Sequence, residues 1–238
     1  MKIALFSDIH ANLPAFDAFL RDLDGRKADA VYCLGDLVGY NVWPNEIINE
    51  IRKRGIATLV GNHDLKVKVL AQITNEELSE TGKDYAYHII EPENIAYLLT
   101  LPSHIKLEFK SNGQNMNVLM AHGSPRSVDE YVLEDTDSEY VTELMNESGT
   151  NILCVGHSHK PYHRIISEDK QVINLGSVGK PKDGNPQGCY VLLSIDDDVV
   201  DPIKVEFIRF DYDIEKAAKG IEDSPLPDEL AERLRKGV

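Results

Sequence analysis

Short apolar runs alternate with stretches whose apolar positions recur every three or four residues over the first 62 residues. KIALFS reads as a buried strand. NLPAFDAFLRDL then places Leu13, Phe16, Phe19, Leu20 and Leu23 on one helical face, with Asn12 as a candidate N-cap. AVYCLG is the next strand. PNEIINEIRKR turns Ile47, Ile48 and Ile51 inward, carries basic residues in its last turn and meets a stop signal at Gly55. IATLVG is a third strand. This βαβαβ order predicts an α/β fold with parallel strands joined by right-handed crossovers.

The pattern changes over about 65–110, where helical periodicities near 75–90 and 92–100 carry Tyr85, Tyr87 and Tyr97; a small helical cap insertion is expected there. NVLMA, NILCV, HRIIS, QVINL, YVLLSI and IKVEFIRF follow as strands, with a helix near 138–147. Their close spacing and the GN and DD turn signals predict antiparallel hairpins among the later strands. A Pro-rich linker and a short charged helix form a C-terminal tail over about 212–238. The chain reads as a single domain, 1–238, without internal repeats.

Composition narrows the partners. Forty acidic against 25 basic residues give a formal net charge of −15, a surface that repels polyanions and argues against general nucleic-acid or anionic-membrane binding. A phosphate substrate stays open, because bound cations reverse a local field. Cys33, Cys154 and Cys189 each sit in an apolar run without CxxC spacing, as buried reduced thiols do. MKIALFSDIH meets a charge too early for a signal peptide, and no apolar stretch reaches membrane-spanning length, so a cytoplasmic protein is expected. Nothing indicates an oligomeric state.

The candidate chemistry lies where the apolar runs stop. LFS ends on Asp8 and His10, CLG on Asp36, LVG on Asn62, His63 and Asp64, LMA on His122, and CVG on His157 and His159. Strand ends are where open α/β sheets place ligands. In an extended chain residues i and i+2 share a side, so His157 and His159 would project together, as metal ligands or as two surface imidazoles. Singly, each aspartate could cap a turn, Asn62 could be a turn residue and His122 a buried, satisfied histidine; that those readings hold at all seven positions is not credible. Imidazole, carboxylate and amide donors without thiolate suit a pair of divalent ions, with Mn2+ first and Fe, Zn, Ni or Co as alternatives. Two ions about 3.5–4 Å apart, bridged by one carboxylate, could orient a phosphate and generate hydroxide near neutral pH.

DxH, GD, GNH, H and GHxH in this order resemble the signature of the calcineurin-like metallophosphoesterases. SDIHAN, GDLVGY, GNHD, HGSPR and NLGSVGKPKDG are most similar to the small prokaryotic phosphoesterases related to diadenosine tetraphosphatases. The resemblance implies two packed mixed β-sheets flanked by helices, a four-layer αββα sandwich with the site at one rim. It implies one ion on Asp8, His10 and His159, another on Asn62, His122 and His157, and Asp36 bridging. His63 matches the phosphate-contacting histidine and general acid, and metal-bound hydroxide is the implied nucleophile.

Where protein phosphatases of this superfamily read GDxxDRG and GNHE, this chain has GDLVGY and GNHD. Gly39 stands in place of the aspartate that steers the histidine and Tyr40 in place of a phosphate-binding arginine. Asp64 could orient His63 or cap the following helix. Asn12 and Arg126 are candidate substrate contacts, against capping and an exposed ion pair respectively; Lys180 and Lys182 could meet an anion or sit in a solvated turn. The tyrosines of the insertion could stack on a base, with core packing as the default. The expected activity is hydrolysis of a small phosphoester or nucleotide, a phosphodiester or dinucleoside polyphosphate first. The rivals are a phosphomonoesterase or protein phosphatase, and a non-catalytic scaffold such as the retromer subunit, whose motif residues are lost.

Overall fold

The structure, a computed structural model, describes residues 1–70, 82–111, 114–196 and 203–238. Two five-stranded sheets pack face to face. The first has the order β10(Ile203–Phe210), β9(Gly188–Ile195), β1(Lys2–Phe6), β2(Ala30–Cys33), β3(Ala57–Thr58). β1, β2 and β3 run parallel, and β9 pairs antiparallel with both β1 and β10. The second has the order β4(His104–Ser111), β5(Gln114–Ala121), β6(Ile152–Val155), β8(Lys170–Asn174), β7(Tyr162–Ser167). Both sheets are mixed, as the resemblance implied.

Strand alternation assigns the layers. Ile3 and Leu5 of β1 point between the sheets and meet Val118, Met120, Ile152, Cys154 and Ile173. Ala4 and Phe6 point the other way, onto α1(Leu13–Arg26) and α2(Pro44–Arg54) through Phe16, Phe19, Ile47, Ile48 and Ile51. On the far side, Leu119, Leu153 and Val172 receive Val141, Leu144 and Met145 of α6(Ser138–Ser148). Helix, sheet, sheet and helix therefore stack in four layers, each apolar face covered by the next. All three cysteines are buried and unpaired.

Helix boundaries follow the local chemistry. Asn12 Oδ1 accepts from the Ala15 N–H and Gly55 closes α2 in a left-handed conformation. β4 begins at His104, so the segment between the sheets is shorter than 65–110; its Ile105, Leu107 and Phe109 alternate onto the inter-sheet core, a period-2 pattern masked by the preceding helices. The helical expectation at 75–90 falls partly on 71–81, outside the described residues; α3(Asn62–Leu70), α4(Tyr85–His88) and α5(Pro92–Leu98) flank that stretch.

The GN signal at 184–185 marks no hairpin, because β8 and β9 belong to different sheets and the loop between them crosses over. β7–β8 and β9–β10 are antiparallel hairpins of the later strands, and β4–β5 is another. The tail holds two helices, α7(Ile214–Glu222) and α8(Glu229–Lys236), which bury Ala217, Ala218, Ile221, Leu230 and Leu234 against Ala86. Among the described residues no helix is long and apolar enough to cross a membrane.

Candidate metal centre

The loops leaving β1, β2, β5 and β6, with the start of α3, converge at one rim of the sandwich. Their backbone is bent unusually: Asp8, His10, Ala11, Asp36, Tyr40, His157 and His159 all have φ between 50° and 64°. Left-handed conformations of this kind in L-residues cost of order 1–3 kcal/mol each and persist where surrounding structure fixes them. Here the loops brace one another, with Asp8, His10 and Ala11 donating to the carbonyls of Gly35, Asp36 and Leu37 at 3.0, 2.9 and 2.8 Å. Gly61 is required by close approach, since a Cβ there would lie 2.1 Å from Asp36 Oδ1.

The GHSH pair does not use an extended chain. With both residues left-handed, the two rings part: His159 joins Asp8 and His10, whereas His157 lies beside His122, ring centres 5.2 Å apart. The strand-like projection expected from sequence is thus corrected by two backbone kinks.

Each aspartate divides its oxygens between fold and centre. Asp8 Oδ2 accepts from the His157 N–H at 3.0 Å and Asp36 Oδ1 from the His63 N–H at 2.8 Å. Asp8 Oδ1 and Asp36 Oδ2 are buried without a hydrogen-bond partner. Asp36 Oδ2 lies 3.5 Å from His10 Nε2 and 3.4 Å from His122 Nε2; Asp8 Oδ1 lies 3.2 Å from His159 Nε2.

The far ring nitrogens are anchored on carbonyls. His10 Nδ1 donates to Val38 O at 2.9 Å, His122 Nδ1 to Leu34 O at 2.8 Å and His159 Nδ1 to Lys180 O at 2.5 Å. Because a carbonyl only accepts, Nδ1 carries the proton in each and Nε2 faces the centre, the arrangement that metal-ligating histidines use. His157 is turned round, with Nε2 toward Asp129 O at 3.2 Å, leaving Nδ1 on the other side of the ring. Asn62 Oδ1 lies 3.2 Å from His122 Nε2. Among the described residues, three groups have ligand atoms close enough to hold a cation: Asp8, His10 and His159; Asp8, Asp36 and His122; His10, Asp36 and His63.

The field is strongly polarised. Burial would raise Asp8 and Asp36, but His159 and His10 at the first, and His122, His63 and His10 at the second, hold both well below the usual carboxylate range. Burial disfavours charge on His122, yet Asp36 lifts it to about 10. Burial lowers His159 to about 4 and His63 to about 3, and lowers His157 as well. The unpartnered carboxylate oxygens, inward-facing imidazole nitrogens and amide oxygen form a hard-to-borderline donor set without sulfur, which fits divalent transition ions once a cation displaces the proton that Asp36 favours on His122.

His63 is held from a direction the sequence did not reveal. Its Nδ1 is hydrogen-bonded to the Tyr87 hydroxyl from α4. Burial keeps the Tyr87 phenol well above its ordinary pKa, hence protonated and able to donate. A Cβ at Gly39 would stand 2.7 Å from His63 Nδ1 and 3.1 Å from Tyr87 Oη, so the glycine leaves the room this pair fills. Asp64 does not touch His63. It accepts from Gly61 N–H at the start of α3 and from Asp36 and Leu37 N–H at 2.8 and 2.9 Å, capping its helix and pinning the Asp36 loop; burial, then Asp36, raises it to about 7.

Two sequence candidates drop out. Asn12 is fully buried and its amide is spent on Ala15 N–H and Gly179 O, so it is corrected from substrate contact to loop brace. Arg126 turns away onto α6, paired with Glu143 at 2.7 Å and Glu147 at 2.8 Å. Lys182 Nζ approaches His159 Nε2 to 3.4 Å, and Lys66 Nζ approaches His63 Nε2 to the same distance. Burial, with Lys182 and Arg233 nearby, lowers Lys180 to about 7. Tyr40 packs edge-on to His10, 4.7 Å between ring centres, and exposed Tyr131 stacks on His157 at 4.0 Å. Tyr40 belongs to the GDLVGY motif and stands out there, whereas no spacing rule couples Tyr131 to the motifs.

The chain is 34% identical to an uncharacterised protein of Methanocaldococcus jannaschii, across 98% of this chain and 96% of that one. A metallophosphoesterase structure from Sphaerobacter thermophilus is similar at a TM-score of 0.79 and 26% identity, covering 100% and 99% of the two chains. A Pyrococcus horikoshii hypothetical protein shares the fold at a TM-score of 0.82 and 22% identity, covering 100% and 98%. Residues 1–198 match the calcineurin-like phosphoesterase superfamily domain, a metal-dependent family, and the chain belongs to that superfamily.

Proposed function

We propose that the protein is a two-metal hydrolase of small phosphoesters or nucleotides, a phosphodiester or dinucleoside polyphosphate first, with Mn2+ as the first-choice ion. The observation that carries this reading is the free Asp36 Oδ2, buried without a hydrogen bond and almost equidistant from His10 Nε2 and His122 Nε2. Asp8, His10 and His159 would hold one ion on one side of it, and Asn62, His122 and His157 the other. Divalent ions bound there supply Lewis acidity toward a phosphoryl oxygen and hydroxide at neutral pH.

The chain's own residues do the rest. With Tyr87 donating to His63 Nδ1, the ring proton would sit on Nε2, the nitrogen that Lys66 Nζ approaches to 3.4 Å. An anionic phosphate beside the ring favours its charged form, which sets His63 to neutralise charge and to hand a proton to the leaving oxygen. The intact motif set weighs against a scaffold role. Gly39 and Tyr40 themselves supply no cation for the second charge of a monoester, where the protein phosphatases have an arginine. With Mn2+ present, kcat/KM on bis(p-nitrophenyl) phosphate should exceed that on p-nitrophenyl phosphate; the reverse ranking across several metals favours the phosphomonoesterase reading instead.

A further inference from the structure

Beside His63, a cavity of about 430 Å3 opens between α3, the start of α4 and α8, with Tyr40, Tyr87, Lys66, Lys83 and Arg233 in its wall. α8 lies beyond the residues shared with the family domain, so this wall belongs to the present chain rather than to the superfamily match. The wall is cationic in a chain of net charge −15. Its carboxylates are Asp84 and Glu229, and Glu229 is already paired with Arg233.

Tyr40 joins this cavity to a second set of cations. Lys180 is only 2% exposed, yet its Nζ meets just Val238 O at 3.4 Å and the face of Tyr40 at 4.9 Å. Lys182 Nζ lies 5.8 Å from the same ring and reaches back to His159. Among the described residues no side-chain carboxylate pairs with Lys66, Lys83, Lys180 or Lys182, and Lys180 meets the oxygen of Val238, the last residue. Burying like charges together without a counter-ion is costly, and an anion arriving among them removes the cost.

We propose that Lys180, Lys182 and Arg233 around Tyr40, continued by Lys66 and Lys83, form a second anion subsite that binds a phosphoryl group adjacent to the one being cleaved. The favoured ligand then carries a phosphoanhydride chain, as nucleoside and dinucleoside polyphosphates do, with its first phosphate at the aspartate–histidine floor and the next ones running across Tyr40 into the cavity. Charge matching sets this preference: ortho-phosphate reaches only the lysines nearest the imidazoles, whereas a longer polyanion also reaches Lys180 and Arg233. The subsite rests on the phosphoesterase reading for its substrate but not for its ability to bind an anion.

The test is an equilibrium titration of the full-length, Mn2+-loaded protein with inorganic tripolyphosphate and with orthophosphate. Free Mn2+ is clamped in excess so that the probe strips no metal. Tripolyphosphate should bind at least about tenfold more tightly, and Arg233→Met should weaken it by about tenfold, the worth of one charged hydrogen bond, while weakening orthophosphate much less. Lys180→Met removes a buried charge without leaving a void, and should reproduce that selective loss; Arg233→Met, half-exposed, serves should Lys180→Met not fold. Equal affinity of the wild type for both anions, or equal losses on both in Arg233→Met, overturns the proposal. A protein that hydrolyses bis(p-nitrophenyl) phosphate without preferring tripolyphosphate loses only the subsite. One that prefers tripolyphosphate but cleaves no ester keeps the subsite and loses the phosphoesterase function.

Discussion

The floor and the rim of the site are built by opposite means. The floor is Asp8, His10, Asp36, His122 and His159, each in a loop leaving a strand and within four residues of its end, each nearly or fully buried and each with one atom locked to a neighbouring loop. The rim is Tyr40, Lys66, Tyr87, Tyr131, Lys180 and Arg233, drawn from separate loops and helices. A floor made of unpartnered oxygens and inward-facing ring nitrogens is poised for cations; a rim of phenols and amines is poised for an anion. The lesson is that the candidate cation ligands of this fold gather where strands end, while the cationic and aromatic groups beside them come from loops and helices that pack against those ends.

His63 stands on the boundary, and altering it should have the largest effect short of removing a floor carboxylate. His63→Ala should keep the metal complement yet slow hydrolysis by about 10²–10⁴-fold for esters with poorly leaving alkoxides, the usual range for a proton donor, and less for p-nitrophenolate. A leaving-group series with metal content measured in parallel checks this; an equal deficit across the series removes the acid role.

One step outward, Tyr87→Phe deletes the hydroxyl on His63 Nδ1 and nothing from the floor. It should lower kcat by about tenfold on the same poor leaving groups, in the range for losing a ring's supporting partner, and should add almost nothing in a His63→Ala background. Additive effects in that double-mutant cycle would separate Tyr87 from His63. Smallest of all, Arg126→Ala should leave kcat/KM within about twofold, because its side chain contacts exposed Glu143 and Glu147, and Tyr140, of α6 rather than the floor. A larger loss would return Arg126 to the rim.

The difference between floor and rim also decides what could be read from sequence. Asp8, Asp36 and His122 were legible because an apolar run followed at once by a polar group signals a strand end, and parallel strands bring those ends together. Even there the backbone was not: seven left-handed residues, including both histidines of GHSH, arise from loops bracing one another and leave no mark in spacing. β4 was missed because its alternation begins directly after a helical stretch. For Asn12 and Arg126 the sequence leaves two readings open, because an amide or guanidinium near a motif gives no clue to which nearby group consumes it, and the structure shows the cap and the ion pair. Tyr87 pairs with His63 across 24 residues through a helix whose packing no local pattern specifies, and Gly39, a departure from the protein phosphatases, makes sense only once that pair is seen.

The central claim is that Asp36 shares itself between two ions. Equilibrium dialysis of the metal-free chain against Mn2+, followed by elemental analysis and electron paramagnetic resonance, tests it most directly. The account predicts two Mn2+ per wild-type chain with an exchange-coupled spectrum, and loss of both the coupling and at least one ion in a folded Asp36→Asn. A single ion in the wild type, or two retained in full by Asp36→Asn, contradicts it.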